Sequence, residues 1–343
     1  MDLAIDYRGR RVFLTGHTGF KGSWLAFWLQ RMGAEVMGYA LPPSTHPNLW
    51  QALGLESSLT GVLADVRDLD RLSREIRTFR PDLVFHLAAQ ALVLPSFEDP
   101  VGTFGSNLMG TVNVLEACRF CESIRSTIIV TTDKCYQNAG SGVPFREDDP
   151  LGGSDPYSAS KACAELAVEA YRHSYWGQGR GLATVRAGNV MGGGDWSPHR
   201  LMPDLVRARQ AGKPLMLRHP EARRPWQHVL DPLRGYLMLG AELVRCPEIY
   251  SGAWNFGPSE ADTLRVQELV ALAGATWEQD PLPTLPEATQ LRLDSTKTRE
   301  TLGWIPRWPL QTAAIRTVDW YQAFAQGAPA SVLCTSDLEA YLS

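Results

Sequence analysis

The 343-residue sequence has no apolar run near the roughly 18 residues that span a bilayer, and Met1–Asp6 carries the wrong charge for a secretory leader. A soluble cytoplasmic protein is expected. It has no surplus of positive charge, 33 Lys and Arg standing against 37 Asp and Glu, so nothing suggests a nucleic-acid partner. Its six cysteines (Cys118, Cys121, Cys135, Cys163, Cys246 and Cys334) are too few and too scattered for a disulfide scaffold. Cys118 and Cys121 share an apolar helical stretch with no second pair, which reads as buried thiols. The seven histidines lack the His-Glu-x-x-His spacing of a zinc site, and no metal is expected. Internal repeats and low-complexity tracts are also missing.

What is present is the 44% hydrophobic, 20% charged composition of an ordinary globular protein, long enough for one large or two intimate domains. Short β-branched runs at Arg11–Thr15, Ala34–Tyr39, Leu83–Ala88 and Ile128–Thr132 alternate with helical patterns at Lys21–Arg31, Asp68–Phe79, Leu108–Cys121 and Tyr157–Tyr175. That alternation predicts an α/β fold with a parallel sheet and crossover helices. After Gly188, proline and glycine become frequent, as in Gly192–Gly194 and Pro281–Pro286, which predicts a smaller, loop-rich domain. The expected division is 1–188 plus 225–252 for the sheet domain and 189–224 plus 253–343 for the second.

Gly16-His17-Thr18-Gly19-Phe20-Lys21-Gly22 directly follows the first strand and opens the first helix. Glycines there allow a tight turn and close backbone approach, and the helix N-terminus favours a pyrophosphate. This context predicts a Rossmann-type, doubly wound sheet binding a dinucleotide through Gly16, Thr18, Gly19, Phe20, Lys21 and Gly22. The acid expected at the end of the second strand, to bind the ribose, is missing from Val36–Ala40. No arginine stands there for a 2′-phosphate either, so NAD and NADP stay open, with NAD mildly favoured. Asp65, followed by Val66, is placed either to meet the adenine amino group or to cap a turn.

Tyr157 and Lys161 lie one helical turn apart on one face. The ammonium is expected to stabilise a phenolate and bring the tyrosine toward neutrality as a base for a sugar hydroxyl. Thr132, Asp133 and Lys134 end a strand at the carboxyl edge of the sheet, where ligands of open α/β folds bind. Trp24 and Trp28, at i and i+4, read as core. Trp196 and Trp226 are expected to stack on ligand or close the site.

Together these residues resemble the extended short-chain dehydrogenase/reductase superfamily and, within it, the nucleotide-sugar 4,6-dehydratases, over nearly the whole chain. The likeness is greatest to the branch acting on CDP-glucose, in four segments: Thr15–Trp24; Asp133–Tyr136 with Gly152-Gly153 and Asp155–Ser158; Arg186–Trp196; and Arg224–Val229. The resemblance implies tightly held NAD, regenerated every cycle, and CDP-glucose as substrate. Tyr157, assisted by Thr132 and Lys161, would take the 4-hydroxyl proton as hydride leaves C4. The 4-ketone acidifies the C5 proton, Asp133 protonates the departing 6-hydroxyl, and hydride returns to C6 to give CDP-4-keto-6-deoxy-D-glucose. Related dehydratases carry Asp-Glu where this chain and the CDP-glucose branch carry Asp133-Lys134, so the C5 base stays open. Lys134 would serve if burial or cationic neighbours lowered its pKa from about 10.4.

The same resemblance places Ala88, Ala89 and Gln90 in the loop passing the cofactor, and makes Asn107, with Gly110 and Thr111, a structural brace. Asn189, Arg224 and Arg292 are expected along the nucleotide diphosphate, with Arg200 a further substrate contact, since a guanidinium fork matches phosphate oxygens. It also implies a homodimer through the helices carrying Tyr157 and the Asn107 segment, and a place in deoxysugar biosynthesis such as that of lipopolysaccharide O-antigen. Two other readings remain: a nucleotide-sugar 4-epimerase using the same tyrosine, lysine and NAD, and a non-catalytic NAD-sensing protein.

Overall fold

Seven short apolar runs pair as one parallel sheet in the computed structural model, which describes residues 3–259, 264–280 and 291–343. The expected loop at Pro281–Pro286 lies outside the described residues. The strands are β1 (Arg11–Thr15), β2 (Glu35–Ala40), β3 (Thr60–Leu63), β4 (Leu83–His86), β5 (Ser126–Val130), β6 (Gly181–Ala187) and β7 (Gly252–Phe256), in the spatial order β7-β6-β5-β4-β1-β2-β3. The chain builds outward from β1 to β3, then returns to the other side of β1 with β4. That reversal opens a crevice at the carboxyl ends of β1 and β4, the ligand position of doubly wound sheets. β4, β5 and β6 are buried along their whole length and lack polar alternation, as strands covered on both faces do.

One face is covered by α1 (Phe20–Arg31) and α5 (Leu230–Arg245), whose Trp24, Trp28, Leu233 and Leu237 join the larger core. The other is covered by α2 (Leu69–Phe79), α3 (Gly110–Arg119) and α4 (Pro156–Tyr175), which contribute Ile76, Leu115 and Val168. A separate cluster around Leu205, Leu217, Trp226 and Leu269 forms in the second half. Helix α6 (Leu310–Ala325) bridges the two cores, Leu310 and Ala313 facing the smaller and Trp320 and Tyr321 the larger. Helix α7 (Ala330–Leu342) packs on the larger core through Leu338 and Tyr341.

Two expectations shift. The boundary expected at 252 falls on the first residue of β7, so the returning piece runs through Phe256. The helix expected over Leu108–Cys121 begins earlier, in a turn at Pro100–Phe104 capped by Asp99, and passes through a π-turn at Gly105–Met109 into α3. π-turns of this kind often mark functional positions. No helix among the described residues is long and apolar enough to cross a membrane. The six cysteines are free, with Cys118 and Cys121 buried.

Candidate active site

A cleft of about 1650 Å³ runs along the carboxyl edge of the sheet, between it and the loops after β6. The glycine turn forms its floor. Gly16 has φ +79°, and a Cβ on it would lie 2.6 Å from Ala88 N; one on Gly22 would lie 2.0 Å from Gly16 O. Only glycine permits this packing of turn, helix and β4. Gly19 caps α1 without a side-chain bond, which leaves the first-turn amides to an anionic ligand. Thr18, Phe20, Lys21, Val66 and Ala89 also border the cleft. The Thr18 hydroxyl donates to Leu41 O at 2.8 Å, tying the turn to the end of β2.

At the far end Asp65 borders the cleft, but its carboxylate is gripped by Arg67, whose Nη2 lies 2.6 Å from Oδ2. This hydrogen bond holds Asp65 below the usual carboxylate range. On the other side of the floor, the Gln90 backbone is clasped by Asn107: Oδ1 accepts from Gln90 N at 2.8 Å and Nδ2 donates to Gln90 O at 3.0 Å. Asn107 Nδ2 also donates to Ser160 Oγ at 2.9 Å, so the loop and α4 share one side chain. The cradle, the uncapped α1 terminus and the elongated cleft fit a dinucleotide.

Asp155 caps α4 by accepting from Ser158 N at 2.9 Å, and Pro156 at the first helical position fixes its start. Tyr157 and Lys161 are thereby buried side by side in the cleft wall. The expected electrostatics differ. Burial raises Tyr157 to about 12, with the Thr132 hydrogen bond pulling the other way. Lys161 does not bring it to neutrality; its Nζ donates to Val130 O at 3.0 Å, and burial lowers its own pKa to about 8.

β5 delivers Thr132, Asp133 and Lys134 to the same wall, in a short turn over Asp133–Cys135. Asp133 is 1% exposed, with Oδ1 accepting from Thr132 Oγ1 at 3.0 Å and Oδ2 buried without a hydrogen-bond partner. Lys134 Nζ stands 3.6 Å from Asp133 Oδ1. The cationic neighbours invoked for a basic Lys134 surround a different lysine. Lys21 is half-buried and lowered to about 7, first by desolvation and then by Arg200, against the pull of Asp133. The sequence placed Lys21 with the phosphate turn; the structure brings it into the catalytic cluster, with Nζ 6.0 Å from the Tyr236 ring centroid. No spacing rule links Lys21, Tyr236 and Asp133, which come from three separate elements.

The opposite wall carries the substrate candidates. Asn189, Arg200 and Arg224 border the cleft; Arg292 lies next to Leu291, which does so, and its carbonyl accepts from Phe145 N at 2.9 Å. Arg200 Nη1 is fixed by Asp195 Oδ2 at 2.9 Å. Arg224 is 7% exposed. Trp196 and Trp226 also line the wall, with Trp196 packed edge-on against Trp320 at 5.9 Å. Sequence reasoning missed the Leu215–Leu217 strand and Arg218, which extend this wall.

Among the described residues no cluster of His, Cys, Asp or Glu could hold a metal ion. The model of the NAD dependent epimerase/dehydratase family matches residues 12–251. The chain is 42% identical to the CDP-glucose 4,6-dehydratase of Salmonella typhimurium, over 98% of this chain and 97% of that one. Among solved structures, UDP-glucose 4-epimerase of Thermus thermophilus in complex with NAD superposes with a TM-score of 0.78 at 28% identity, covering 91% of this chain and 99% of that one. A dTDP-glucose 4,6-dehydratase from Streptomyces venezuelae with NAD bound gives 0.78 at 26%, covering 91% and 97%. With the glycine cradle, the Tyr157–Lys161 pair and the doubly wound sheet in place, the chain belongs to the NAD-dependent epimerase/dehydratase family.

Proposed function

We propose that the chain is a CDP-D-glucose 4,6-dehydratase, producing CDP-4-keto-6-deoxy-D-glucose with NAD as a cofactor regenerated in each turnover. The observation carrying this reading is Asp133: a carboxyl group buried in the cleft wall beside Thr132, with one oxygen unpartnered. An epimerase returns hydride to C4 and has no departing hydroxyl to protonate; a dehydratase does. The 42% identity with the Salmonella enzyme supports CDP-glucose over other nucleotide sugars.

In this reading Gly16, Thr18, Gly19, Phe20 and Gly22, with the Lys21 backbone, hold the pyrophosphate while the Lys21 ammonium reaches toward Asp133; Asp65 and Val66 hold the adenine, and Ala88, Ala89 and Gln90 the opposite side. Bound there, NAD supplies a hydride acceptor for C4 and a donor for C6. Tyr157, as the phenolate, takes the 4-hydroxyl proton, its charge favoured by the Thr132 hydrogen bond and by Arg200, while Lys161 fixes the helix to the strand through Val130 O. Thr132 orients the phenol, Asp133 protonates the leaving 6-hydroxyl, and Lys134 removes the C5 proton after handing its own to Asp133, 3.6 Å away. Asn189, Arg200, Arg224 and Arg292 hold the diphosphate.

The test is mass spectrometry of products from CDP-, UDP- and dTDP-glucose, with and without added NAD. Loss of one water from CDP-glucose, with solvent deuterium appearing at C5, is expected. An unchanged mass with inverted C4 would make the chain an epimerase, and no change in any sugar would leave a binding protein. A Lys134→Met variant that still exchanges the C5 proton at the normal rate would move that role elsewhere.

We also propose a cytoplasmic homodimer whose interface is the face of α4 and the Asn107 segment. Val101, Met109 and Leu166 expose apolar surface there, Val101 at 82%. Sedimentation velocity on the wild type and Leu166→Glu checks it: a dimer that the variant dissociates is expected.

A further inference from the structure

Helix α4 carries a third buried polar residue on the face of Tyr157 and Lys161. Glu165 is one further turn along and 4% exposed, remote from the proposed chemistry. Its Oε2 accepts from Thr184 Oγ1 at 2.7 Å and Arg186 Nη2 at 2.8 Å, and its Oε1 accepts from Thr131 Oγ1. Arg186, on β6 and 3% exposed, donates through Nη1 to Tyr136 OH at 2.8 Å and to Glu147 O at 3.0 Å. Tyr136 passes the chain on, donating to Asn255 Oδ1 at 2.7 Å and stacking on Phe145 at 4.8 Å.

Thr131 immediately precedes, and Tyr136 immediately follows, the Thr132–Cys135 turn that bears Asp133 and Lys134. Both ends of the turn are therefore bonded to the two members of one ion pair. Lys161 closes the frame by donating to Val130 O, one residue before Thr131. A buried ion pair is weak evidence for stability, because the desolvation cost rivals the attraction. Holding two halves of a site in register is a use that fits this placement.

We infer that Glu165, acting with Arg186, is a positioning residue that fixes the Tyr157–Lys161 helix against the Thr132–Lys134 edge. One helical turn from Lys161 on the same face, Glu165 also favours the charged form of that lysine. The inference rests on those five residues carrying the dehydration. The groups facing Lys161 are Glu165 on its own helix, Cys135 on the turn, His86 on β4 and Lys21 on α1. Burial holds the Cys135 thiol well above 9 and lowers His86 to about 3. Both are neutral near pH 7, which leaves Glu165 as the anion among these four.

The experiment measures kcat and KM for CDP-glucose against pH, with NAD affinity as a check on folding, for wild type, Glu165→Gln, Glu165→Asp and the double variant Glu165→Leu/Arg186→Met. Misplacement of about 1 Å costs on the order of 100-fold in rate. Glu165→Gln is therefore expected to lower kcat by about 10- to 100-fold at unchanged KM, and to move the alkaline limb about one pH unit downward, since Lys161 loses a stabilising charge. Glu165→Asp keeps the charge and shortens the reach: its limb stays in place and its kcat falls by about 3- to 10-fold. The double variant removes the pair without stranding a charge and is expected to fold; it should show the same limb shift and a similar loss. A double variant with wild-type kcat and limb overturns the inference even if Glu165→Gln fails to fold. A limb that stays put in both Glu165→Gln and the double variant overturns the charge role. A wild type that never dehydrates CDP-glucose instead overturns the functional reading, and this inference with it.

Discussion

On the β1–β4 side of the cleft the ligand surface is backbone: the glycine turn, the uncapped α1 terminus and the Gln90 loop. On the far side, between Gly188 and His228, it is made of long side chains braced by aromatic rings. Arg200 is held by Asp195, whose carbonyl accepts from the Tyr321 hydroxyl, and Trp24 Nε1 donates to Gly193 O at 2.9 Å. A backbone wall tolerates few substitutions but is specified by residues close together in the chain. A side-chain wall admits variety, yet its supports come from more than a hundred residues away.

Mutations should separate the two walls. The largest effect belongs to the seam between them: Tyr157→Phe is expected to lower kcat by about 1,000- to 10,000-fold, with NAD affinity and KM within about threefold, as read by steady-state kinetics and fluorescence titration. Next, Gly22→Val forces a Cβ toward Gly16 O and should weaken NAD by more than about 100-fold, on the order of 3 kcal/mol. A titration showing near-wild-type affinity would mean that the turn can relax. On the opposite wall, Arg224→Met should raise the KM for CDP-glucose about 30-fold while leaving NAD affinity and kcat alone, the pattern of lost uniform binding.

Lys21 sharpens the contrast, because it places a half-buried amine on the backbone wall. Its pKa is about 7 in the fold against 10.5 for the free group. The lowered value means that stability is undiminished above pH 10.5 and is lost as pH falls to about 7. Lys21→Met should therefore stabilise the protein without cofactor by about 2 kcal/mol at pH 6 and hardly at all near pH 10. Thermal midpoints at the two values check this, and an equal gain at both would contradict the titration. The smallest effect is Trp24→Phe, which removes the bond to Gly193 O. About 1 kcal/mol of stability should go, with NAD affinity intact and KM slightly raised, because the bond braces the substrate wall.

The same contrast governs how much could be read from the sequence. The order strand, Gly-rich turn, helix places β1, the turn and α1 within one or two residues, because that geometry is local. Tyr157 and Lys161 are legible as an i, i+4 pair, and Thr132–Lys134 as the end of an apolar run. Spacing does not reveal that Lys21 bends into the Asp133 cluster, that Asp65 is gripped by Arg67, or that Lys161 bonds Val130 O instead of bringing the tyrosine to neutrality. Each depends on a neighbour's geometry or on desolvation, which a linear pattern does not encode. β3 escapes notice because it is short, β7 because it lies beyond Gly188 where proline and glycine obscure the alternation, and β6 because Gly181, Thr184 and Arg186 break its apolar run. The π-turn is hidden because the Leu108–Cys121 spacing is that of an ordinary helix, and a shift in backbone hydrogen bonding leaves no mark on it.

Asn107 spends one side-chain amide on two clients, the loop at Gln90 and the helix at Ser160. Ser160 Oγ in turn donates to Tyr157 O at 2.7 Å. The Gln90 amide and the first turns of α4 are thus one cooperative unit, and their amide protons should exchange with solvent in the same opening event. Heredity faces the same bond unevenly: only the backbone of residue 90 is clasped, so its side chain is free of this constraint, whereas residues 107 and 160 meet through their side chains and a change at one is tolerated where the other has moved with it.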